Sequence, residues 1–227
     1  MSNPILSRAL APLLAIALSA PVHAGVSSDQ TRYSYTLGYQ VAQQLKARGL
    51  QVDPTSFADA IEDALAGKPP RLTPEEMQAA IDAVVAQAQE KEQLIADANA
   101  KAGADFRAQY AKQDGVKSLD GGLMYRELQA GTGARPTAES TVVVHYRGTL
   151  IDGAEFDSSI ARGEPATFGI GNVIPGFSQA LQNMAVGSKW EVVIPADMAY
   201  GAKGVKDGPI GPNETLIFEI ELIEIKA

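Results

Sequence analysis

The chain has 227 residues, 45% of them hydrophobic and 20% charged, enough apolar surface for one large or two small folded domains. Its 19 basic residues against 27 acidic ones leave a net charge of −8, which excludes the basic footprint of a nucleic-acid binder. With no cysteine and two histidines, His23 and His145, disulfides, thiolate metal sites and His-rich metal sites are excluded as well.

Residues 1–24 have the pattern of an export signal. Arg8 supplies a weakly positive start, residues 9–20 form a short apolar run, and Val22-His23-Ala24 has the small-x-small character of a cleavage site. A buried N-terminal helix is the alternative. The run is shorter than the ~20 residues that span a bilayer, so no integral membrane segment is expected in the mature chain. Export to a bacterial periplasm is the simplest destination, with outer-membrane or surface association and secretion left open.

Residues 28–49 have the spacing of a helix. Ser28 suits the N-cap, Leu37, Val41 and Leu45 share a face, and Gly49 suits the stop. Asp53-Pro54 opens a second helix, cap and first position. Phe57, Ile61 and Leu65 lie on its apolar stripe, and Gly67 with Pro69-Pro70 ends it. Thr73 and Glu76, with Pro74 between them, have the spacing of a capping box. They start a third helix, along which Ile81, Val84, Val85, Leu94, Ile95 and Phe106 recur at helical spacing. About 40 residues at ~1.5 Å each give a rod of roughly 60 Å. Residues 87–93 are polar and read as a solvated spacer. Gly103 weakens the helix by about 1 kcal/mol relative to Ala without breaking it. The first two helices are too small to close a core alone. Residues 25–72 are therefore expected to form an all-α dimerisation region and residues 73–114 a long linker helix. The alternative folds the apolar stripes back onto the C-terminal part, and the solvated rod disfavours it.

From residue 115 the pattern changes to short alternating strands and Gly-rich turns. Strands are predicted at 123–129, 141–151, 155–158, 166–168, 189–194 and 216–222. Asp152-Gly153 makes a hairpin turn between the second and third. One short helix at about 177–183 lies between the fourth and fifth. An antiparallel sheet with one face on a single helix is an α+β arrangement, and the concavity between helix and sheet is the natural pocket. Phe156 and Asp157 place an apolar wall beside one acid just past the hairpin, near Tyr146. Taken singly, each of these residues has a plainer reading as core, turn cap or loop anchor.

Five segments stand in order: V-H-Y-R-G-T-L-I-D-G-A-E-F-D-S-S at 144–159, V-I-P-G-F at 173–177, M-A-V-G-S-K at 184–189, A-Y-G at 199–201 and T-L-I-F-E-I-E-L at 215–222. In that order and spacing, residues 115–227 resemble the FKBP-type peptidyl-prolyl cis-trans isomerases. L-G-Y-Q-V-A-Q-Q-L at 37–45 and A-L-A-G-K-P-P at 64–70 resemble the dimerisation region of that family's macrophage infectivity potentiator branch. The resemblance thus covers the whole mature chain.

It implies an FKBP-like fold and a prolyl isomerase that needs no cofactor and no metal. By position, Asp157, Tyr200, Tyr146 and Phe156 carry over as the catalytic group. Val173, Ile174, Phe177, Phe218 and Ile210 carry over as the proline-binding walls. Arg162 matches a residue that pairs with the pocket acid, and Phe168 an aromatic beside the pocket. Phe177 stands where a Trp commonly floors the pocket, Ala166 where an aromatic is common, and residues 203–213 lack the His that some members carry. The implied partners are proline-containing polypeptide clients, macrolide inhibitors of the rapamycin type and a second copy of the chain held through the N-terminal helices. Nucleic acid is not among them. A non-catalytic chaperone or protein-binding module using the same pocket and cleft is the alternative.

Overall fold

The computed structural model describes residues 28–47 and 49–226, so the expected export signal lies outside the described residues. The chain divides into two compact units after Thr73.

The first unit holds helices α1 (Asp29–Ala47) and α2 (Pro54–Leu65). Ser28 and Thr31 cap α1 reciprocally: the Thr31 N–H donates to Ser28 Oγ at 3.2 Å and the Ser28 N–H to Thr31 Oγ1 at 2.9 Å. Asp53 caps α2 by accepting from the Ser56 N–H at 2.8 Å. Both helices end alike, on a left-handed glycine. Gly49 (φ 69°) and Gly67 (φ 69°) each donate three residues back, while Leu50 and Lys68 donate five residues back. Beyond α2, Arg71 and Lys68 both bond the Asp63 carboxylate and hold the connector against the helix. No residue of α1 is buried, and Asp63 is the one buried residue of α2.

The second unit begins with α3 (Pro74–Tyr110) and continues into β1 (Val116–Ser118), β2 (Met124–Gln129), β3 (Thr141–Leu150), β4 (Glu155–Ser158), a single turn α4 (Ser159–Arg162), β5 (Ala166–Gly169), α5 (Pro175–Asn183), β6 (Lys189–Ile194) and β7 (Leu216–Lys226). The strands form one antiparallel sheet in the order β1-β2-β6-β7-β3-β4, with β5 also on β3. Alternation sends Val142, Val144 and Tyr146 of β3, Trp190, Val192 and Ile194 of β6, and Leu216 to Leu222 of β7 toward α5. There Phe177, Ala180 and Leu181 complete the core.

β3 positions the site. One edge pairs with β7 along its whole length, and the other is shared. β5 takes residues 141–144 and β4 takes residues 147–149. Tyr146 falls at the gap between them. Its N–H is satisfied by the fully buried Ser159 Oγ at 2.8 Å, at the start of α4.

Two expectations need correction. Residues 116–118 form a strand that three residues of weak alternation did not announce. The third helix is also not solvated along its length. Its buried residues are Ala96, Gly103 and Tyr110, at heptad spacing, on the face that also carries Asn99 and Arg107. That face meets the side of the sheet away from α5. The Tyr110 hydroxyl donates to Glu191 at 2.9 Å, Arg107 donates to Thr215, and Asn99 Nδ2 donates to the Pro212 carbonyl at 2.9 Å. Val193, on the same strand face as Glu191, is fully buried. The apolar stripe read from the sequence stays out, with Ile81, Val84, Leu94 and Ile95 exposed. The docking face is polar and small because the sheet surface opposite it offers Glu191 and Thr215, which only hydrogen-bonding groups satisfy. Gly103 is there for contact: a Cβ at this position would overlap the Thr215 side chain.

Candidate functional site

The β3–β4 connection is tight because Asp152 Oδ1 accepts from the Ala154 N–H at 2.9 Å while Leu150 and Ala154 close the turn at 2.9 Å. The return strand then lays Phe156 across Gly148. A Cβ on Gly148 would stand 2.6 Å from the Phe156 ring and 2.8 Å from the Phe218 ring. Both rings are close to the backbone only because this β3 position has no side chain.

Around that point five rings form a box. Phe218 meets Phe156 edge-on at 5.5 Å between centroids and Phe177 at 5.1 Å. Phe177 meets Tyr146 at 5.9 Å and Phe168 at 6.2 Å, again edge-on. T-shaped pairs of this kind contribute ~0.5–1.5 kcal/mol each beyond their burial, so the box is rigid. It encloses a cavity of about 520 Å³. Tyr146, Phe156, Asp157, Phe168, Val173, Ile174, Phe177, Tyr200, Ile210 and Phe218 all line it, which brings ten of the eleven expected site residues together.

The eleventh, Arg162, stands behind the lining. Its guanidinium donates to Asp157 Oδ1 at 2.5 Å and to the Tyr146 hydroxyl at 2.9 Å, while that hydroxyl donates to Asp157 Oδ2. Arg162 also lies over the Tyr146 ring, at 5.6 Å from its centroid. Both Asp157 oxygens, the Tyr146 hydroxyl and the two terminal guanidinium nitrogens of Arg162 thus have a partner within the trio. Burial alone would raise the Asp157 carboxyl, but the hydrogen bonds from Tyr146 and Arg162 outweigh it and hold the group below its ordinary value. Tyr146 is pushed up, first by burial and then by its bond to Asp157, and Arg162 is raised by its bonds to both. At neutral pH the trio is an anion, a neutral phenol and a cation with fixed positions. Such an arrangement can orient dipoles without a proton relay.

Three lining residues went unread in the sequence: Asn172, Val205 and Pro209. Asn172 directly precedes the quoted V-I-P-G-F segment, which was the available signal. Val205 and Pro209 belong to the same loop as Ile210, where no periodicity marks which residues face the pocket. That loop closes on itself, with the Val205 N–H on the Ile210 carbonyl at 2.8 Å and the Gly208 N–H on the Val205 carbonyl at 3.0 Å. Tyr200 lines the cavity at its rim and is 41% exposed. The Ile174 N–H, at the start of α5, has no intramolecular acceptor among the described residues. His145 is tied to Ser159 at 3.1 Å, outside the cavity lining. Among the described residues no His, Asp and Glu cluster has the makings of a metal site.

Comparison with known proteins agrees with this geometry. Residues 133–223 match the family of FKBP-type peptidyl-prolyl cis-trans isomerases, and residues 30–126 match the domain found amino terminal to FKBP-type peptidyl-prolyl isomerases. The chain is 39% identical to an outer membrane protein MIP of Legionella longbeachae, over 94% of this chain and 93% of that one. It is 43% identical to an FKBP-type 22 kDa peptidyl-prolyl cis-trans isomerase of Escherichia coli, over 86% of this chain and 95% of that one. The crystal structure of FkpA from Escherichia coli covers 88% of this chain and 98% of its own at 37% identity, with a TM-score of 0.65. On these matches, over nearly the full length of its relatives, the chain that carries this aromatic box belongs to the FKBP-type peptidyl-prolyl cis-trans isomerases and is an enzyme of that activity.

Proposed function

We propose that the aromatic box is where this isomerase turns the bond preceding proline, and that the chain works on exported proteins as a homodimer. The reaction crosses a barrier of about 20 kcal/mol without breaking a bond, so neither a nucleophile nor a proton relay is required. Twisting the amide removes its resonance and with it much of its polarity. An apolar slot therefore favours the twisted form over the planar one, and each ~1.4 kcal/mol of that preference is tenfold in rate. Phe156, Val173, Ile174, Phe177 and Phe218 hold the proline ring, with Ile210 and Phe168 flanking it. The Ile174 N–H and the Tyr200 hydroxyl bond the carbonyls on either side. Asp157, oriented by Tyr146 and Arg162, faces the rotating amide with a fixed negative charge. The observation that carries this reading is the box of five rings closed on one side by a charged trio that is already internally paired.

A protease-coupled assay on a proline-containing anilide peptide tests it. Asp157→Asn or Tyr200→Phe should lower kcat/KM about tenfold or more, with Phe177→Ala lowering it further. Full activity in all three would sink the assignment. Inhibition by a macrolide of the rapamycin type is expected from the same cavity.

The dimer is supported by surface that the described chain leaves open. Leu37 and Val41 of α1, Phe57 and Ile61 of α2, and Ile81 and Val84 of α3 are all exposed. Exposed apolar stripes on successive helices are the usual mark of an interface. Light scattering on residues 25–227 should give twice the chain mass, and a single-chain mass would end the dimer proposal. Two such chains would present two pockets to one client, which is the basis for chaperone-like holding. No helix among the described residues is long and apolar enough to cross a membrane. Residues 1–24 support export, and the outer membrane protein MIP relative supports a cell-envelope destination.

A further inference from the structure

We propose that Asn99, on the long helix, is a positioning residue for the proline pocket, so that α3 is part of the enzyme. The inference rests on the cavity being the proline site. Pro209 and Ile210 wall that cavity, and the chain leaves it through Gly211, Pro212 and Asn213 before entering β7. Within the tip of this loop the backbone closes on itself, through bonds between Val205 and Ile210 and between Gly208 and Val205. Its exit is held from α3. Asn99 Nδ2 donates to the Pro212 carbonyl at 2.9 Å, and Asn213 Nδ2 donates to the Ala96 carbonyl at 3.2 Å. The two bonds cross the same gap in opposite directions, so the loop exit has one register on the helix.

The local backbone adds to this. Asn213 has φ 56°, a left-handed conformation that asparagine tolerates better than most residues, and its own N–H returns to the Gly201 carbonyl at 2.9 Å. It therefore ties three segments: the Tyr200–Gly201 rim, the loop exit and α3. On the N-terminal side of these contacts the helix and loop separate. A cleft of about 250 Å³ opens there between Gln89, Gln93 and Ala202. Asn99 and Asn213 are thus the side chains that bridge α3 to the loop exit, each through a hydrogen bond to a carbonyl on the other side. The pocket wall they support is apolar and contacts substrate equally in the planar and twisted states. Loosening it should weaken binding and leave the turnover of bound substrate alone.

The test uses the full mature chain and a proline-containing anilide peptide, with KM and kcat resolved separately. Asn99→Asp puts a carboxylate against the Pro212 carbonyl, and Asn213→Gly keeps the left-handed backbone while removing the donor to Ala96. Each should raise KM about threefold to tenfold with kcat unchanged, the range expected for one part-buried hydrogen bond. Ile210→Ala should raise KM as well, and Asn99→Asp/Ile210→Ala should be no worse than Ile210→Ala alone, because the helix acts through that wall. Unchanged KM in Asn99→Asp and Asn213→Gly, an additive double variant, or a fall in kcat alone would each overturn the proposal. If Asn99→Asp releases α3 from the sheet, Asn213→Gly reads the same contact from the loop side. Unchanged KM in Ile210→Ala would instead overturn the reading of the cavity as the proline site.

Discussion

The two units of this chain use similar residues to opposite ends. In the second unit the sheet and α5 close their shared apolar surface, with Leu181, Ile194, Leu216 and Leu222 at 0% exposure. In the helical unit Leu37 is 44% exposed, Ile61 45% and Leu65 85%. Each helix there is well capped at both ends, so local order is not what is missing. What differs is closure. An antiparallel sheet with a helix on it encloses a volume, whereas two short helices offer stripes and no third element to cover them. A folded chain can thus be complete in one half and, on the proposal above, await a second copy in the other.

The sharpest way to break this comparison is a pair of leucines. Leu181→Ala should lower stability by about 2–5 kcal/mol, because it opens a cavity in a closed core. Leu37→Ala should cost well under 1 kcal/mol in a chain that stands alone, and several-fold more, with concentration dependence, if a second copy covers it. Urea unfolding at two protein concentrations separates these outcomes.

Gly148→Ala comes next. The added methyl meets two rings at under 3 Å, and overpacking of this kind costs about 1–3 kcal/mol. Because the displaced rings are Phe156 and Phe218, kcat/KM should fall in the same variant, by at least tenfold. Retained activity would show that the box is softer than its edge-on contacts imply.

Two helix glycines then sharpen the contrast. Gly103 in α3 packs on Thr215, while Gly38 in α1 has nothing within 4 Å of where a Cβ would stand. Gly103→Ala should destabilise the sheet unit by about 1 kcal/mol or more. Gly38→Ala should stabilise α1 by about 0.5–1 kcal/mol through helix propensity alone. Thermal unfolding of both variants checks the signs, and a loss in Gly38→Ala would mean that another copy packs closely at that glycine.

The smallest effect is the pH response of Asp157. Its folded-state pKa lies below the unfolded value, so its ionic bonds stabilise fully above the ordinary carboxylate range and are lost as pH falls through the folded value. With the side chain 44% exposed, screening keeps the contribution below about 1 kcal/mol. The gap in urea midpoint between the parent chain and Asp157→Asn should be present at pH 7 and close below about pH 4. Asp63 follows the same sign in the helical unit, its carboxyl lowered by Arg71 and then Lys68.

Much of this architecture is legible in the sequence. Ser28, Asp53, Gly49 and Gly67 bound their helices because caps and stops are set by backbone groups within about five residues. The alternation of β6 and β7 placed Trp190, Val192, Phe218 and Ile220 on the core face because the pleat repeats every two residues. The quoted segments point to the pocket's family and hold eight of its lining residues, and positional matching adds Phe168 and Ile210. Three things were decided only when distant surfaces met. One is which face of α3 docks: hydropathy chose the Leu94 and Ile95 side, whereas hydrogen bonds to Glu191, Pro212 and Thr215, about a hundred residues away in sequence, chose Asn99, Gly103 and Arg107. Another is that Arg162 stands behind Asp157 and not in the cavity lining, which depends on how the α4 turn leaves the gap between β4 and β5. The third is that Asn172, Val205 and Pro209 reach the cavity, since loop residues carry no period to read and are placed by what they touch.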